Sequence, residues 1–171
     1  MTTEPAAEPL VRALRSRGQT VACAESLTGG LVAATLVEVP GASVVFRGAM
    51  VVYATDLKNV LAGVPESLLA ERGAVDPDVA RALAVGARER CIADWGVATT
   101  GVAGPDPQEG KPVGLVYVAV AGPTRTTARE LRFDGSRARI RAAAVSAVLA
   151  LLGAELAAAE PSIGGRGRGP G

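Results

Sequence analysis

The chain has 171 residues, which is long enough for one domain with a substantial core and short for two. It is 49% apolar, 20% charged and 3% aromatic, a composition typical of a globular protein with a core of Ala, Val and Leu. The formal net charge is only +1, and two of the arginines, Arg166 and Arg168, lie in a Gly/Pro-rich C-terminal segment. We therefore expect no nucleic-acid binding driven by phosphate contacts.

The chain contains no histidine, which excludes His-dependent catalytic triads and His-based metal sites. A hydrolase built on this sequence must activate its nucleophile with lysine, tyrosine or a carboxylate. The two cysteines, Cys23 and Cys91, lie inside apolar segments and suggest buried thiols in a reducing compartment. No charge-free apolar run reaches about 18 residues and the N-terminus is acidic, so we expect no membrane segment, no signal peptide and a cytoplasmic location.

Apolar periodicity and turn residues predict alternating helices and strands along the chain. The predicted helices are one from Glu4 to Gly18 and further ones over 29–38, 55–61, 65–73, 76–93 and 136–159. The predicted strands cover 20–24, 44–53, 95–101, 113–121 and 126–133. Because the last three strands are joined by loops too short for a crossover helix, at least one of them is antiparallel. The pattern predicts an α/β fold with helices on both faces of a mixed sheet, one domain over 1–160 and a disordered tail over 161–171.

The stretch TVACAESLTGG at 20–30 predicts a buried strand that turns directly into a helix. Hydroxyls and backbone N–H groups are concentrated at this turn, and Gly29 and Gly30 allow a ligand to approach the backbone closely. An anion or a developing oxyanion would be well placed at the start of that helix. A capping serine followed by packing glycines explains the same stretch equally well.

In α/β sheets, ligands collect at the carboxyl ends of the strands. Here this rule selects Glu25, Ser26 and Thr28 after the first strand, Tyr53 and Lys58 after the second, and Thr99, Thr100 and Gly101 after the third. Ser43 precedes the second strand, but a loop returning from the helix can fold over the same end. The result is a predicted pocket of hydroxyl groups with one lysine.

Lys58 is one of only two lysines in the chain, the other being Lys111. A lysine that is partly desolvated holds its proton less tightly and can act as a base towards a serine. The alternative is a solvated helix residue. Arg137 and Arg141, at the start of the last helix, can bind a phosphate or carboxylate, or can simply lie on an exposed helix face.

These residues lie in motifs that resemble those of the CinA C-terminal domain family, the nicotinamide-nucleotide amidases (NMN deamidases of the PncC type). The motifs are AESLTGG at 24–30, PGAS at 40–43, VVYATDLK at 51–58, ERGAV at 71–75, TTGVAGP at 99–105, KPVGLVYVAV at 111–120 and FDGSRARIR at 133–141. They occur in the family's order, and the resemblance covers roughly residues 10–152.

The resemblance implies a three-layer α/β/α fold with a mixed, mainly parallel five-stranded sheet, in a homodimer or larger homo-oligomer. It implies hydrolysis of the carboxamide of nicotinamide mononucleotide to nicotinate mononucleotide and ammonia, with no metal and no organic cofactor. Its active-site positions fall on Ser26, Ser43, Tyr53, Lys58, Thr100 and Arg141. Two alternatives remain: a non-catalytic nucleotide-binding or interaction module, and an amidase of the same chemistry acting on another carboxamide.

For the amidase we expect Lys58 to take the proton of a serine hydroxyl that attacks the amide carbon. Ser43 is the preferred nucleophile, with Ser26 and the N–H groups after it polarising the substrate carbonyl, and the reverse assignment is nearly as well supported. Tyr53 would hold Lys58 in place or pass the proton.

The ribose phosphate is expected along Thr100 and the backbone from Gly101 to Gly104, helped by Arg141 and Arg137. One departure from the family pattern affects this region, because Ser136 replaces an aspartate that often precedes the last helix. A serine can still cap that helix, but any ionic role of the aspartate is lost.

Overall fold

The computed structural model describes residues 6–159; the predicted tail over 161–171 lies outside them. Within this range the helices are α1 (Glu8–Arg17), α2 (Leu31–Val37), α3 (Thr55–Val60), α4 (Glu66–Arg72), α5 (Pro77–Arg90) and α6 (Arg137–Ala158). The strands are β1 (Val21–Glu25), β2 (Phe46–Val51), β3 (Trp95–Gly101), β4 (Leu115–Ala121) and β5 (Thr126–Arg132). A single 3₁₀ turn, Ala42–Val44, precedes β2.

The five strands form one sheet in the order β2-β1-β3-β4-β5. β1 is parallel to both β2 and β3, whereas β4 is antiparallel to both of its neighbours. Four strands therefore run in one direction and β4 runs against them. The predicted mixed, mainly parallel α/β sheet is confirmed, as is the antiparallel pairing among the last three strands.

The interior strand β1 carries larger side chains on one face and alanines on the other, and this difference affects how closely each helix layer packs. Val21 and Cys23 of β1 belong to the core beneath α1, α2 and α6, whereas Ala22 and Ala24 belong to the core beneath α5. On the alanine face α5 lies very close to the sheet, because a Cβ on Gly96 of β3 would collide with backbone atoms of α5. This three-layer arrangement places the carboxyl ends of β1, β2 and β3 at one edge of the molecule.

Helix α6 is long and apolar enough, by length and composition alone, to cross a membrane. Half of its most apolar 18-residue stretch is nevertheless buried inside the domain, where Ile140, Val148 and Leu152 belong to the core. Its first turn is capped by the hydroxyl of Ser136, which accepts from the N–H of Arg139 at 3.3 Å. The expected capping by serine at this position is confirmed.

Candidate active site

Lys58 is the largest fully buried side chain of the described domain, with 1% of its surface exposed. It lies in α3, just past the end of β2, and its Nζ is surrounded by oxygen atoms. Nζ donates to the Oγ of Ser26 at 3.0 Å, to the carbonyl of Val52 at 2.8 Å and to the carbonyl of Tyr53 at 3.2 Å. The side chain is therefore not a solvated helix lysine.

Burial lowers the pKa of Lys58 from its ordinary 10.5 to about 8, because removing the ammonium from water disfavours the charged form. The negative charge of Glu109 acts in the opposite direction and raises the pKa, but it is the weaker influence. The amine is thus neutral in a much larger fraction of molecules near neutral pH than an ordinary lysine, as a base requires.

The lowered pKa of Lys58 predicts a specific pH dependence of stability. Between pH about 8 and about 10.5 the unfolded chain binds more protons at this residue than the folded chain, so the wild type gains stability as pH rises through this window. Relative to Lys58→Met, we expect a gain of about 2 kcal/mol in unfolding free energy between about pH 7 and about pH 9.5. Urea unfolding of the wild type and Lys58→Met at the two pH values measures this gain. A difference in unfolding free energy between the two proteins that does not change with pH would contradict the prediction.

Ser26 lies at the sharp turn between β1 and α2, as the sequence predicts. Its N–H donates to the carbonyl of Thr99 at 3.0 Å, and its own carbonyl accepts from the N–H of Gly29 at 3.1 Å. Gly29 and Gly30 have φ values of 57° and 103°, in the left-handed region that glycine adopts without strain. The turn brings the Ser26 hydroxyl, on a side chain that is 8% exposed, to the amine of Lys58.

Ser43 is not part of this cluster. It is exposed on the 3₁₀ turn Ala42–Val44, and Val45, two residues later, accepts from the N–H of Val21 at the start of β1. Ser26 follows the other end of β1, so at about 3.3 Å per residue the two serines are separated by roughly 16 Å along the sheet. Because β1 and β2 are parallel, α2 must carry the chain back to the amino ends of the strands. The expected folding of this loop over the carboxyl ends is therefore wrong within one chain.

Glu25 forms a buried cap on α2 and does not face the pocket. Its carboxylate accepts from the N–H groups of Gly30, Val32 and Ala33 at 2.8–3.1 Å, and from the hydroxyl of Thr28 at 2.6 Å. These are the free donors at the helix N-terminus that were expected to bind a substrate anion. A glutamate at the end of β1 is long enough to reach them, so the chain itself occupies that site. The positions of Glu25, Thr28, Gly29 and Gly30 therefore give no support to the substrate contacts expected for them.

Tyr53 holds Lys58 through its backbone and not through its phenol. The carbonyl of Tyr53 accepts from Lys58, while the side chain is 58% exposed and its hydroxyl accepts from the Nη2 of Arg137 at 3.0 Å. The Nη1 of Arg137 donates to the carbonyl of Gly104, and the guanidinium therefore joins the β2–α3 connection to the loop after β3. Tyr53 thus contacts Lys58 as expected, but the phenol, bonded to Arg137, is not placed to pass the proton directly.

The remaining predicted residues support the loops around the cluster. The buried hydroxyl of Thr100 donates to the carbonyl of Ala74 at 2.6 Å. Arg141 donates from Nε to the carbonyl of Leu27 at 2.9 Å and from Nη2 to the carbonyl of Thr28 at 3.2 Å. Arg141 thus contacts the turn after Ser26 from outside and does not line the pocket, whereas Arg137 does.

A pocket of about 100 Å³ opens beside the Ser26 hydroxyl. It is lined by Ser26, Leu27, Tyr53, Ala74, Val75, Thr100, Gly101, Val102, Ala103, Gly104, Asp106, Gln108 and Arg137. Sequence reasoning missed the loop residues Asp106 and Gln108 and the turn residues Ala74 and Val75. Their signal was the ERGAV motif and the polar loop directly after β3, both of which lie further from the strand ends than the side chains selected above.

A larger groove of about 560 Å³ lies between α1, α2 and α6, and none of its lining residues is titratable. It therefore contains no acid or base that could activate its two hydroxyl groups, those of Thr35 and Ser146. Among residues 6–159, no three His, Cys, Asp or Glu side chains are grouped so that they could hold a metal ion. The smaller pocket at Ser26 lies beside the buried Lys58 amine and is therefore the candidate active site.

Residues 3–156 match the family model of the CinA C-terminal domain. A CinA-like protein of Frankia casuarinae is 52% identical over 139 residues, which are 81% of this chain and 32% of the relative. A putative competence-damage inducible protein of Desulforamulus reducens is 48% identical over 132 residues, which are 77% of this chain and 32% of the relative. This chain spans about a third of the length of these relatives.

Solved structures are similar over nearly their whole length. A CinA superfamily protein from Klebsiella pneumoniae has a TM-score of 0.87 at 30% identity, with coverage of 90% of this chain and 97% of that chain. The competence/damage inducible protein CihA from Agrobacterium tumefaciens has a TM-score of 0.84 at 36% identity, with coverage of 90% and 98%.

Proposed function

The chain belongs to the CinA C-terminal domain family, and on that basis we propose that it hydrolyses the carboxamide of nicotinamide mononucleotide to nicotinate mononucleotide and ammonia. The observation that carries this proposal is the buried amine of Lys58 at 3.0 Å from the Ser26 hydroxyl, beside an open pocket. A base in hydrogen-bond reach of an alcohol is the arrangement that nucleophilic amide hydrolysis needs.

The three contacts of Lys58 suit a neutral amine as well as an ammonium. A neutral amine has two N–H donors and one lone pair. The carbonyls of Val52 and Tyr53 can only accept, so they take the two N–H groups. The lone pair is then directed at the hydroxyl of Ser26, the one contact of the three that can reverse its direction. The site therefore accommodates the neutral amine that acts as a base without leaving a donor or the lone pair unpaired.

Ser26 is accordingly the nucleophile in this proposal. Lys58 removes the hydroxyl proton while the oxygen bonds to the carboxamide carbon, and the lysine then protonates the leaving amine. The carbon–nitrogen bond breaks, ammonia departs, and the substrate acyl group remains as an ester on Ser26. A water molecule, deprotonated by the same lysine, attacks the ester carbon; the bond to the Ser26 oxygen breaks, Lys58 returns the proton to that oxygen, and the nicotinate product leaves.

The pocket supports a substrate of which only one part enters. Its volume of about 100 Å³ is small beside the roughly 300–1,000 Å³ of typical ligand pockets, so the carboxamide ring enters while the ribose phosphate extends to the rim. Arg137 lies at that rim, hydrogen-bonded to the Tyr53 hydroxyl and the Gly104 carbonyl. Its guanidinium suits a phosphate group, and this is the role we propose for it.

Ammonia release tests the proposal directly. We expect release from nicotinamide mononucleotide and little from free nicotinamide, which lacks the phosphate that Arg137 would bind. Release from a different carboxamide would support the same chemistry with another substrate. No release from the mononucleotide, free nicotinamide or the dinucleotide would favour a nucleotide-binding or interaction module instead.

The activity should also depend on pH in the way that the Lys58 amine dictates. Because the base must be neutral, kcat/KM should fall about tenfold for each pH unit below about 8. Above about pH 8, kcat/KM should level off. Initial rates of ammonia release between about pH 6 and about pH 10 measure the profile. A profile that is flat through this range would contradict proton transfer to Lys58.

A further inference from the structure

A chain of hydrogen bonds runs from Arg141 through two peptide groups to the pocket. The Nη2 of Arg141 donates to the carbonyl of Thr28 at 3.2 Å. The peptide joining Thr28 to Gly29 presents its N–H on the opposite side, since it is trans, and this N–H donates to the carbonyl of Ser26 at 3.1 Å. The peptide joining Ser26 to Leu27 is the next in the chain, and its N–H is that of Leu27.

The N–H of Leu27 has no acceptor among residues 6–159. Leu27 is only 3% exposed and lines the pocket. Buried N–H groups without an acceptor are rare, because each costs the free energy of a lost hydrogen bond. This donor belongs to the residue directly after the proposed nucleophile, from which strand-turn-helix serine sites supply one oxyanion donor.

Arg141 also fixes the intervening peptide. Its Nε donates to the carbonyl of Leu27 at 2.9 Å, so one planar guanidinium holds two neighbouring carbonyls of a turn that lies 113–114 residues earlier in the chain. A cation at the start of a chain of hydrogen bonds strengthens the donors further along it. The last donor of this chain is the free N–H of Leu27.

We propose that Arg141 is a positioning residue that orients and polarises the N–H of Leu27 as a donor to the oxyanion formed on the substrate carbonyl. This inference rests on the proposed function, and it assigns Arg141 to the transition state instead of the substrate phosphate. An interaction of this kind is made mainly in the transition state, so its loss lowers kcat and leaves KM nearly unchanged.

Steady-state kinetics of Arg141→Met and Arg141→Lys, with Arg139→Met as the matched control, test the proposal. Arg139 lies on the same turn of α6, so its replacement removes the same charge without touching the Ser26 turn. We expect Arg141→Met to lower kcat by about 10- to 100-fold with KM within about threefold of the wild type. The kcat of Arg141→Lys should lie between those of the wild type and Arg141→Met. This variant also tests the proposal if Arg141→Met does not fold. Arg139→Met should match the wild type.

A second readout does not depend on turnover. In ¹⁵N-labelled protein without substrate, the Leu27 amide proton should shift upfield in Arg141→Met and stay in place in Arg139→Met, because the polarising cation is lost only in the first. A rise in KM at unchanged kcat, or equal behaviour of the two methionine variants in both readouts, would overturn the inference. An inactive wild type whose Leu27 shift still depends on Arg141 would instead overturn the proposed function.

Discussion

Lys58→Met is expected to lower ammonia release from nicotinamide mononucleotide by about 10⁴-fold or more, since it removes the base and leaves the fold intact. Methionine has a similar length and no charge, so it fills the same buried space. Kinetics with purified protein and a circular dichroism spectrum would measure both parts of the result. Chemical catalysis should be lost without loss of secondary structure.

Lys111→Met is the matched control, because Lys111 is the only other lysine of the chain and lies outside the Ser26 cluster. It should retain turnover within about threefold of the wild type. Substantial turnover by Lys58→Met would show that another group accepts the proton of the nucleophile. The mechanism would then be wrong even though the fold and the family are unchanged.

The two serines of the sequence motifs should differ sharply when each is replaced with alanine. Ser26→Ala should lower turnover by about 10⁴-fold or more, since it removes the only hydroxyl in contact with Lys58 among the described residues. Ser43→Ala should stay within about threefold of the wild type, because Ser43 is exposed at the other end of the sheet.

Mass spectrometry of acid-quenched reactions adds a direct measurement of the nucleophile. An ester of the nicotinate nucleotide is expected on the peptide that contains Ser26, and it should be absent from Ser26→Ala. An active Ser26→Ala together with an inactive Ser43→Ala would reverse the assignment. Such a result would require Ser43 to reach the pocket of a neighbouring copy.

The sequence predicted most of the fold because its signals are local. The alternation of Val21 and Cys23 with Ala22 and Ala24 marks a strand buried on both faces, and the glycines after Ser26 mark its turn into a helix. Short loops between the last strands required an antiparallel pairing. Lys58 also stood out by its rarity and by its place after β2, and it proved to be buried.

The roles of the polar residues around Lys58 could not be predicted in the same way, because each depends on what another segment brings near. The glutamate that ends β1 looked like a substrate ligand, and only the position of α2 shows that Glu25 caps it. Arg137 and Arg141 are one helical turn apart and have similar sequence contexts. One lines the pocket and the other holds the turn after Ser26, because residues four apart lie about 6 Å apart along the axis of α6 and so meet different segments of the chain.

By itself, then, the sequence determined the order of elements, the two-sided burial of the sheet and the pairing of a rare lysine with a hydroxyl-rich turn. Tertiary structure alone decided which serine meets that lysine. The physical reason is the direction of the strands. In a parallel β1–β2 pair, the residue after β1 lies at the carboxyl ends of the strands and the residue before β2 lies at their amino ends. Two serines that look equivalent along the chain are therefore placed in different environments, one against a buried amine and the other in solvent.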